Sequence, residues 1–134
     1  MALDLGEKRI GIAVSNPEGT LAFPDRVLVR RTPKRDRATL ASVARELQAE
    51  RIVLGLPLTM DGEAGPNAER ARRFGEFLTE VLDVPLEYQD ERLTTIEAEE
   101  RLRARGLSGP ERRQHVDALA AAIILEDYIR ARGR

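Results

Sequence analysis

Three acidic residues stand where a globular chain has little reason to spend a charge. Asp4 lies inside Ala2-Leu3-Asp4-Leu5, which reads as a core strand with Leu3 and Leu5 on one face and Asp4 on the other. Asp117 lies in Val116-Asp117-Ala118-Leu119-Ala120-Ala121-Ala122-Ile123-Ile124-Leu125, a segment apolar on nearly every side and therefore a buried helix. Glu91 follows the short strand Leu86-Glu87-Tyr88-Gln89 at its carboxyl end, the edge where open α/β sheets place their ligands. A buried carboxylate is costly unless it gains a cation, a metal or good hydrogen bonds. Acids held close together repel one another unless a divalent ion neutralises them. Hard oxygen ligands of this kind suit Mg²⁺ or Mn²⁺. Two such ions, roughly 3.5–4 Å apart, form the usual clamp for in-line displacement at phosphorus. On this reading Asp4 is buried because it is a metal ligand.

Each acid also has a plainer explanation. A strand so near the start of the chain could be a sheet edge that leaves Asp4 in water. Asp117 could be a first-turn acid favoured by the helix dipole, although a cap at Ser108 would put it more than two turns in, beyond that effect. Glu91 could be an ordinary acid ahead of a helix.

The chain's bulk properties narrow the chemistry. At 134 residues it should form one domain, residues 1–134, with a proper core and no room for two lobes. It has no cysteine, which removes disulfides and thiolate chemistry and fits a reducing cytoplasm. A single histidine, His115, argues against a zinc site or a histidine-based triad. No apolar run is long enough to span a membrane, and the first residues show no signal-peptide pattern, so a cytoplasmic protein is expected. The net charge of −1 excludes a simple polycation, but positive charge is almost all arginine and comes in knots. The densest is Arg30, Arg31, Lys34, Arg35 and Arg37, followed by Arg70, Arg72 and Arg73 and by Arg101, Arg103 and Arg105. Arginine forks suit phosphates, although each knot alone reads equally as a solvated helix face. Aromatics make up 4% of the chain, too few for a base-stacking platform, so shape and backbone rather than base sequence would be recognised.

The elements that must position the acids follow from periodicity. Ala2 to Leu5 and Ile10 to Ser15 read as strands around the turn Gly6-Glu7-Lys8-Arg9, and Leu21 to Val29 as a third. A helix starts near Pro33, with Leu40, Val43, Ala44 and Leu47 in one stripe. Arg51 to Pro57 is a buried strand, and a glycine-containing loop from Leu58 to Pro66 follows it. Phe74, Phe77, Leu78 and Val81 mark the next helix. Thr94 with Glu97 and Ser108 with Glu111 form capping-box signals for the last two, with Gly106 between them and the final helix running to about Arg130. The order βββαβαβαα implies an α/β fold: a mixed five-stranded sheet, three antiparallel strands then parallel ones, flanked by helices.

These segments resemble the YqgF/RuvX family of the ribonuclease H-like superfamily, essentially end to end. Asp4-Leu5-Gly6-Glu7-Lys8-Arg9-Ile10-Gly11-Ile12-Ala13-Val14-Ser15 looks like its opening signature. Gly55-Leu56-Pro57 with Asp61-Gly62 looks like its second motif, Asp90-Glu91-Arg92-Leu93-Thr94-Thr95 like its third, and Val116 to Ala121 with Ile123-Ile124-Leu125 like its fourth. The resemblance implies a ribonuclease H-like fold and a divalent-metal-dependent endonuclease. Its catalytic and metal-binding triad would be Asp4, Glu91 and Asp117, loaded with Mg²⁺ or Mn²⁺ as two ions. It implies 5′-end processing of precursor 16S ribosomal RNA, Holliday-junction resolution, or both. Partners would be structured RNA or branched DNA, a pre-ribosomal particle among them, with no membrane and with the chain a monomer or homodimer. Lys8, Arg9 and Arg92 could hold phosphates beside the ions, His115 could reach the scissile phosphate or a water, and the 58–66 loop could close over substrate. Glu7 departs from the family pattern, which favours a small hydroxyl residue there, and His115 stands where a small or basic residue is common. With three residues ahead of Asp4, the first strand should be short.

Two other readings compete. An Asp-x-Gly turn followed by a hairpin also occurs in actin-like ATPases and sugar kinases, but those need two lobes around a nucleotide. A ribonuclease H-like module that binds nucleic acid or the ribosome without cutting tends to have lost acids, and all three are present here.

Overall fold

A computed structural model describes residues 1–57, 65–91, 94–106 and 109–132, leaving aside the side chains at 94, 95, 111, 113 and 114. The elements run β1 (Ala2–Leu5), β2 (Arg9–Ser15), β3 (Ala22–Val29), α1 (Pro33–Glu46), β4 (Ile52–Leu56), α2 (Pro66–Thr79), β5 (Leu86–Asp90), α3 (Thr94–Ala104) and α4 (Gly109–Ala131). This is the expected order, and the strands form one mixed sheet in the order β3-β2-β1-β4-β5. β1 runs antiparallel to β2, and β2 to β3, whereas β1–β4 and β4–β5 are parallel.

β1 is therefore the central strand, not an edge. All four of its residues pair with β2, Asp4 opposite Gly11, and Ala2 and Leu3 also pair with β4 on the other side, Leu3 opposite Leu54. The exposed-edge explanation for Asp4 fails because the crossover through α1 lays β4 against the strand's free side.

Alternation then sorts the side chains. Leu3, Ile10, Ile12, Ile52 and Leu54 point to one face and pack with Leu40 and Val43 of α1 and Phe74 and Leu78 of α2. The opposite face carries small residues, Ala2 and Ala13 with Val53, and receives Ala121, Ala122, Ile124 and Leu125 of α4. Large residues thus face the α1/α2 layer and small ones let α4 lie close. Helix α4 is shielded on its other side by Ala98 and Leu102 of α3, which meet Val116, Ala120 and Ile123. That sandwich explains why its sequence is apolar nearly all round.

Local signals account for the helix ends. Thr32 caps α1 by accepting the Arg35 N–H at 3.2 Å, with Pro33 in the first turn. Helix α2 stops at Thr79, so Val81 lies beyond it in a tight turn in which its N–H donates to the Leu78 carbonyl, and its side chain is exposed. The capping boxes at Thr94 and Ser108, and most of the 58–66 loop, lie outside the described residues. On the outer strand β3, Ile12 pairs with Arg26 and Ala13 with Pro24, leaving Asp25 as a bulge. A proline, a bulge and a charge on an edge discourage pairing with another sheet. Among the described residues no helix is long and apolar enough to cross a membrane.

Candidate active site

The face of the sheet that receives α4 is also the face that holds the acids. Asp4 shares the side of β1 that Ala2 presents to α4, and Glu91 continues the alternation of Glu87 and Gln89 one residue past β5. The Glu91 N–H donates to the Leu56 carbonyl at 3.1 Å, so its backbone is pinned to the end of β4. Asp117 descends from α4, eight residues into the helix, with a side chain 20% exposed.

Two glycines make the convergence possible. Asp4 sits opposite Gly11, and a Cβ on Gly11 would collide with the backbone carbonyl of Asp117 while lying 3.0 Å from the Ala118 nitrogen. The helix rests on β2 backbone to backbone at this point. At Gly55 a Cβ would lie 2.5 Å from Glu91 Oε2 and 2.6 Å from Ile124 Cδ1, so the missing side chain is the space the Glu91 carboxyl occupies. Neither role is apparent from the glycines' places in their motifs. The available signal is a glycine inside an otherwise apolar strand, which marks close approach.

Asp4 and Glu91 meet in a side-chain hydrogen bond. Burial pushes the Glu91 carboxyl up to about 9, helped by the negative charge of Asp4 and by its own role as the donor. Burial likewise pushes Asp4 up to about 6; the bond from Glu91 pulls it back, and the charge of Asp117 pushes it up again. The pair therefore holds one proton through neutral pH. Asp117 is near enough to act on Asp4 by charge, but its Oδ2 accepts the Arg9 Nε–H at 2.8 Å. Among the described residues, no three His, Cys, Asp or Glu side chains close around one metal-sized point.

The donor set nonetheless suits a hard cation. Two buried carboxyls that must share a proton to coexist would each gain by exchanging it for a divalent ion. A third carboxylate stands within electrostatic reach, held by an arginine whose side chain is 44% exposed.

The proton shared by Asp4 and Glu91 should be visible in stability. An unfolded glutamate titrates near 4.5 and the folded one near 9, so between those values the folded chain binds more protons than the unfolded one. Stability then falls as pH rises through the window. Calorimetry in chelator should show Tm declining from about pH 5 to about pH 9, with a shallower decline for Glu91→Gln. A profile equally steep in the variant would contradict the shared proton.

The remaining predicted residues divide. Lys8 is exposed on the turn between β1 and β2, where the Gly6 N–H donates to the Arg9 carbonyl at 2.9 Å. Arg9 is at the acids. His115 is exposed and, two residues before Asp117, lies about 200° round α4 from it, so the structure does not bring it to the carboxylates. Arg92 lies outside the described residues.

Comparison with known proteins shows a family and a fold. The family profile described as "RuvX: Holliday junction resolvase" matches residues 1–131. A protein of Anaeromyxobacter dehalogenans strain 2CP-1 named "Putative pre-16S rRNA nuclease" is 50% identical over 129 residues, covering 96% of this chain and 94% of its own. One of the same name from Chloroflexus aurantiacus is 43% identical over 132 residues, covering 98% and 86%. Among solved structures, Thermus thermophilus RuvC superposes with a TM-score of 0.58 at 18% identity, covering 97% of this chain and 93% of its own. The T. thermophilus RuvC complex with a Holliday junction substrate gives 0.59 at 19%, covering 97% and 92%. At such identities the structural likeness speaks to the fold, which is that of RuvC and its ribonuclease H-like relatives.

Proposed function

Because the chain belongs to the RuvX family, we propose that it is a divalent-metal-dependent nuclease that hydrolyses phosphodiester bonds of structured RNA or branched DNA, with Asp4, Glu91 and Asp117 as its catalytic acids. The observation that carries this reading is the gathering of carboxylates from β1, the end of β5 and α4 onto one face of the sheet. Two of them are in contact and the third is within reach of their charge.

Asp4, Glu91 and Asp117 would hold Mg²⁺ or Mn²⁺, and such ions when bound supply an activated water and charge neutralisation at the leaving oxygen. The rest is done by the chain. Asp4 and Glu91 hold one proton between them, which would pass to solvent were a cation to take its place. Arg9 restrains Asp117 beforehand and, once released, presents its guanidinium to substrate phosphate. Lys8 and Arg92 add positive charge that positions the backbone without reading bases.

The names of relatives at 40–50% identity over nearly their whole length favour precursor 16S ribosomal RNA as substrate, and we take its 5′ end as the site of the cut. A four-way DNA junction is the second reading, favoured by the family's description. Both substrates should be offered to the metal-free chain and again with Mn²⁺. We expect Mn²⁺-dependent cleavage of the RNA that exceeds cleavage of the junction. If the wild-type chain binds both and cuts neither with any divalent ion, it is a binding module and the nuclease reading fails.

A further inference from the structure

Beside the acids, a cleft of about 470 Å³ opens between the β1–β2 turn and the β3–α1 junction, lined by Glu7, Lys8, Arg9, Val29, Arg30 and Arg31. Its volume lies within the usual range of ligand sites. Four of the six lining residues are cationic, and the one acid, Glu7, is exposed, with Arg70 Nη1 4.0 Å from its Oε1.

The four cations are not equivalent. Arg9 is occupied by Asp117. Arg30 is built into the wall: its Nη1 donates to the Gly6 carbonyl at 3.0 Å, its Nε to Asp36 Oδ2 at 3.4 Å, and its guanidinium lies 5.5 Å from the Phe74 ring centre. Asp36, 6% exposed, is the least exposed charged residue among the described residues, and its Oδ1 also accepts the Arg31 N–H at 3.0 Å. This buried acid thus fixes the backbone of Arg31, while Arg30 ties the junction to the β1–β2 turn. Lys8 and Arg31 project from those two braced segments. Neither side chain has an ion pair or hydrogen bond among the described residues. The first turn of α1, with its positive dipole end, begins two residues after Arg31.

Two cations on rigid supports, with no side-chain partner among the described residues and with the exposed Glu7 as the acid in the lining, make an anion site. The cleft begins at Glu7, its first lining residue, three residues past Asp4 on the turn that follows β1. We infer that it holds a backbone phosphate of the nucleic acid adjacent to the one placed at the carboxylates, with Lys8 and Arg31 as its ligands and Arg30 with Asp36 as the positioning pair. This rests on the nuclease reading for the nature of the ligand, but binding can be measured without cleavage.

The test compares Lys8→Ala/Arg31→Ala with the parent and with Arg45→Ala, each carrying Asp4→Asn so that substrate survives. Arg45 lies near the far end of α1, about 20 Å from Thr32. Anisotropy is read on labelled single-stranded RNA and on a four-way DNA junction over a salt series. The double variant should bind both at least tenfold more weakly near 0.1 M salt. Its slope of log K against log salt should be shallower by about 0.7 on the single strand and about 0.9 on the junction, one phosphate contact in each case. Arg45→Ala should match the parent. Unchanged affinity and slope, an equal loss in Arg45→Ala, or no binding of either nucleic acid by the parent would each overturn the inference. So would capture of inorganic phosphate in equilibrium dialysis with nucleic-acid affinity unmoved, which would make the cleft a small-anion site. A wild-type chain that cuts neither substrate, beside a double variant that loses binding, would sink the catalytic reading and leave the cleft standing.

Discussion

Asp4→Asn should cut with a rate at least about 10³-fold below wild type, a loss of about 4 kcal/mol of transition-state stabilisation, while remaining folded and still binding substrate. The substitution changes charge and almost nothing else. An asparagine amide at position 4 can donate to Glu91, so the contact between β1 and the end of β5 survives in altered polarity. Removing the negative charge of Asp4 also relieves a cause of the raised Glu91 titration, so Glu91 ionises more readily. The metal-free variant should therefore match or exceed wild type in Tm. Loss of activity with stability retained separates a catalytic role from a structural one. Asp117→Asn should lose activity comparably, and it also removes the counter-ion of Arg9. Cleavage assays under saturating Mn²⁺, paired with thermal melts, read both. If Asp117→Asn cleaves as fast as wild type, the three-acid assignment is wrong.

How far this site could be read from the chain depends on which relations are local. The type and order of the elements followed from periodicity, turn residues and capping signals, because each, whether the Leu40–Val43–Ala44 stripe or the apolar run at Ile52 to Leu56, is complete within one segment. Asp4 and Asp117 stood out for a similar reason, a charge inside an apolar run contrasting with its own neighbours, and Glu91 by its place at the carboxyl end of a short strand. Strand order is different. Asp4's central position depends on β4 pairing with β1 about fifty residues later, and no pattern within Ala2 to Leu5 expresses that. The Arg9–Asp117 pair spans 108 residues and was equally hidden. The arginine knots showed the limit most clearly. Arg37 Nη1 reaches Glu80 Oε2 at 2.6 Å and its guanidinium lies 3.8 Å from the Phe77 ring centre, so it fastens α1 to α2. Arg30 braces a turn, and Arg31 faces the cleft. Three members of one run serve three ends because the β3–α1 junction holds Arg30 and Arg31 while α1 turns Arg37 toward α2, which composition cannot distinguish.

Gly11→Ala should lower stability by about 3 kcal/mol or more, the upper range for overpacking, and Tm by roughly 10–20 °C. The reason lies in what the new methyl meets. A Cβ direction is set by the backbone, so no rotamer offers escape, and the atoms in the way are the Asp117 carbonyl and the Ala118 nitrogen, main chain in the middle of a 23-residue helix. Only lifting α4 from the sheet relieves the clash. A lift of about 1 Å forfeits up to half of the dispersion energy of each contact it opens, and those contacts include Ala121, Ile124 and Leu125 against Ala2, Ala13 and Val53. The same displacement carries Asp117 away from Asp4, so activity should fall even below the melting range. Gly75→Ala is the internal comparison. There a Cβ would also come within 2.5 Å of another atom, but that atom is the Tyr88 hydroxyl, the end of the side chain of a residue 38% exposed, which gives up one long bond of 3.4 Å to the Arg72 carbonyl if it moves. Alanine gains up to about 1 kcal/mol over glycine inside a helix, so Gly75→Ala should leave Tm unchanged or raise it. Equal melting temperatures for the two variants would mean that α4 does not rest on β2 at Gly11, and the route by which Asp117 reaches the sheet's other acids would have to be redrawn.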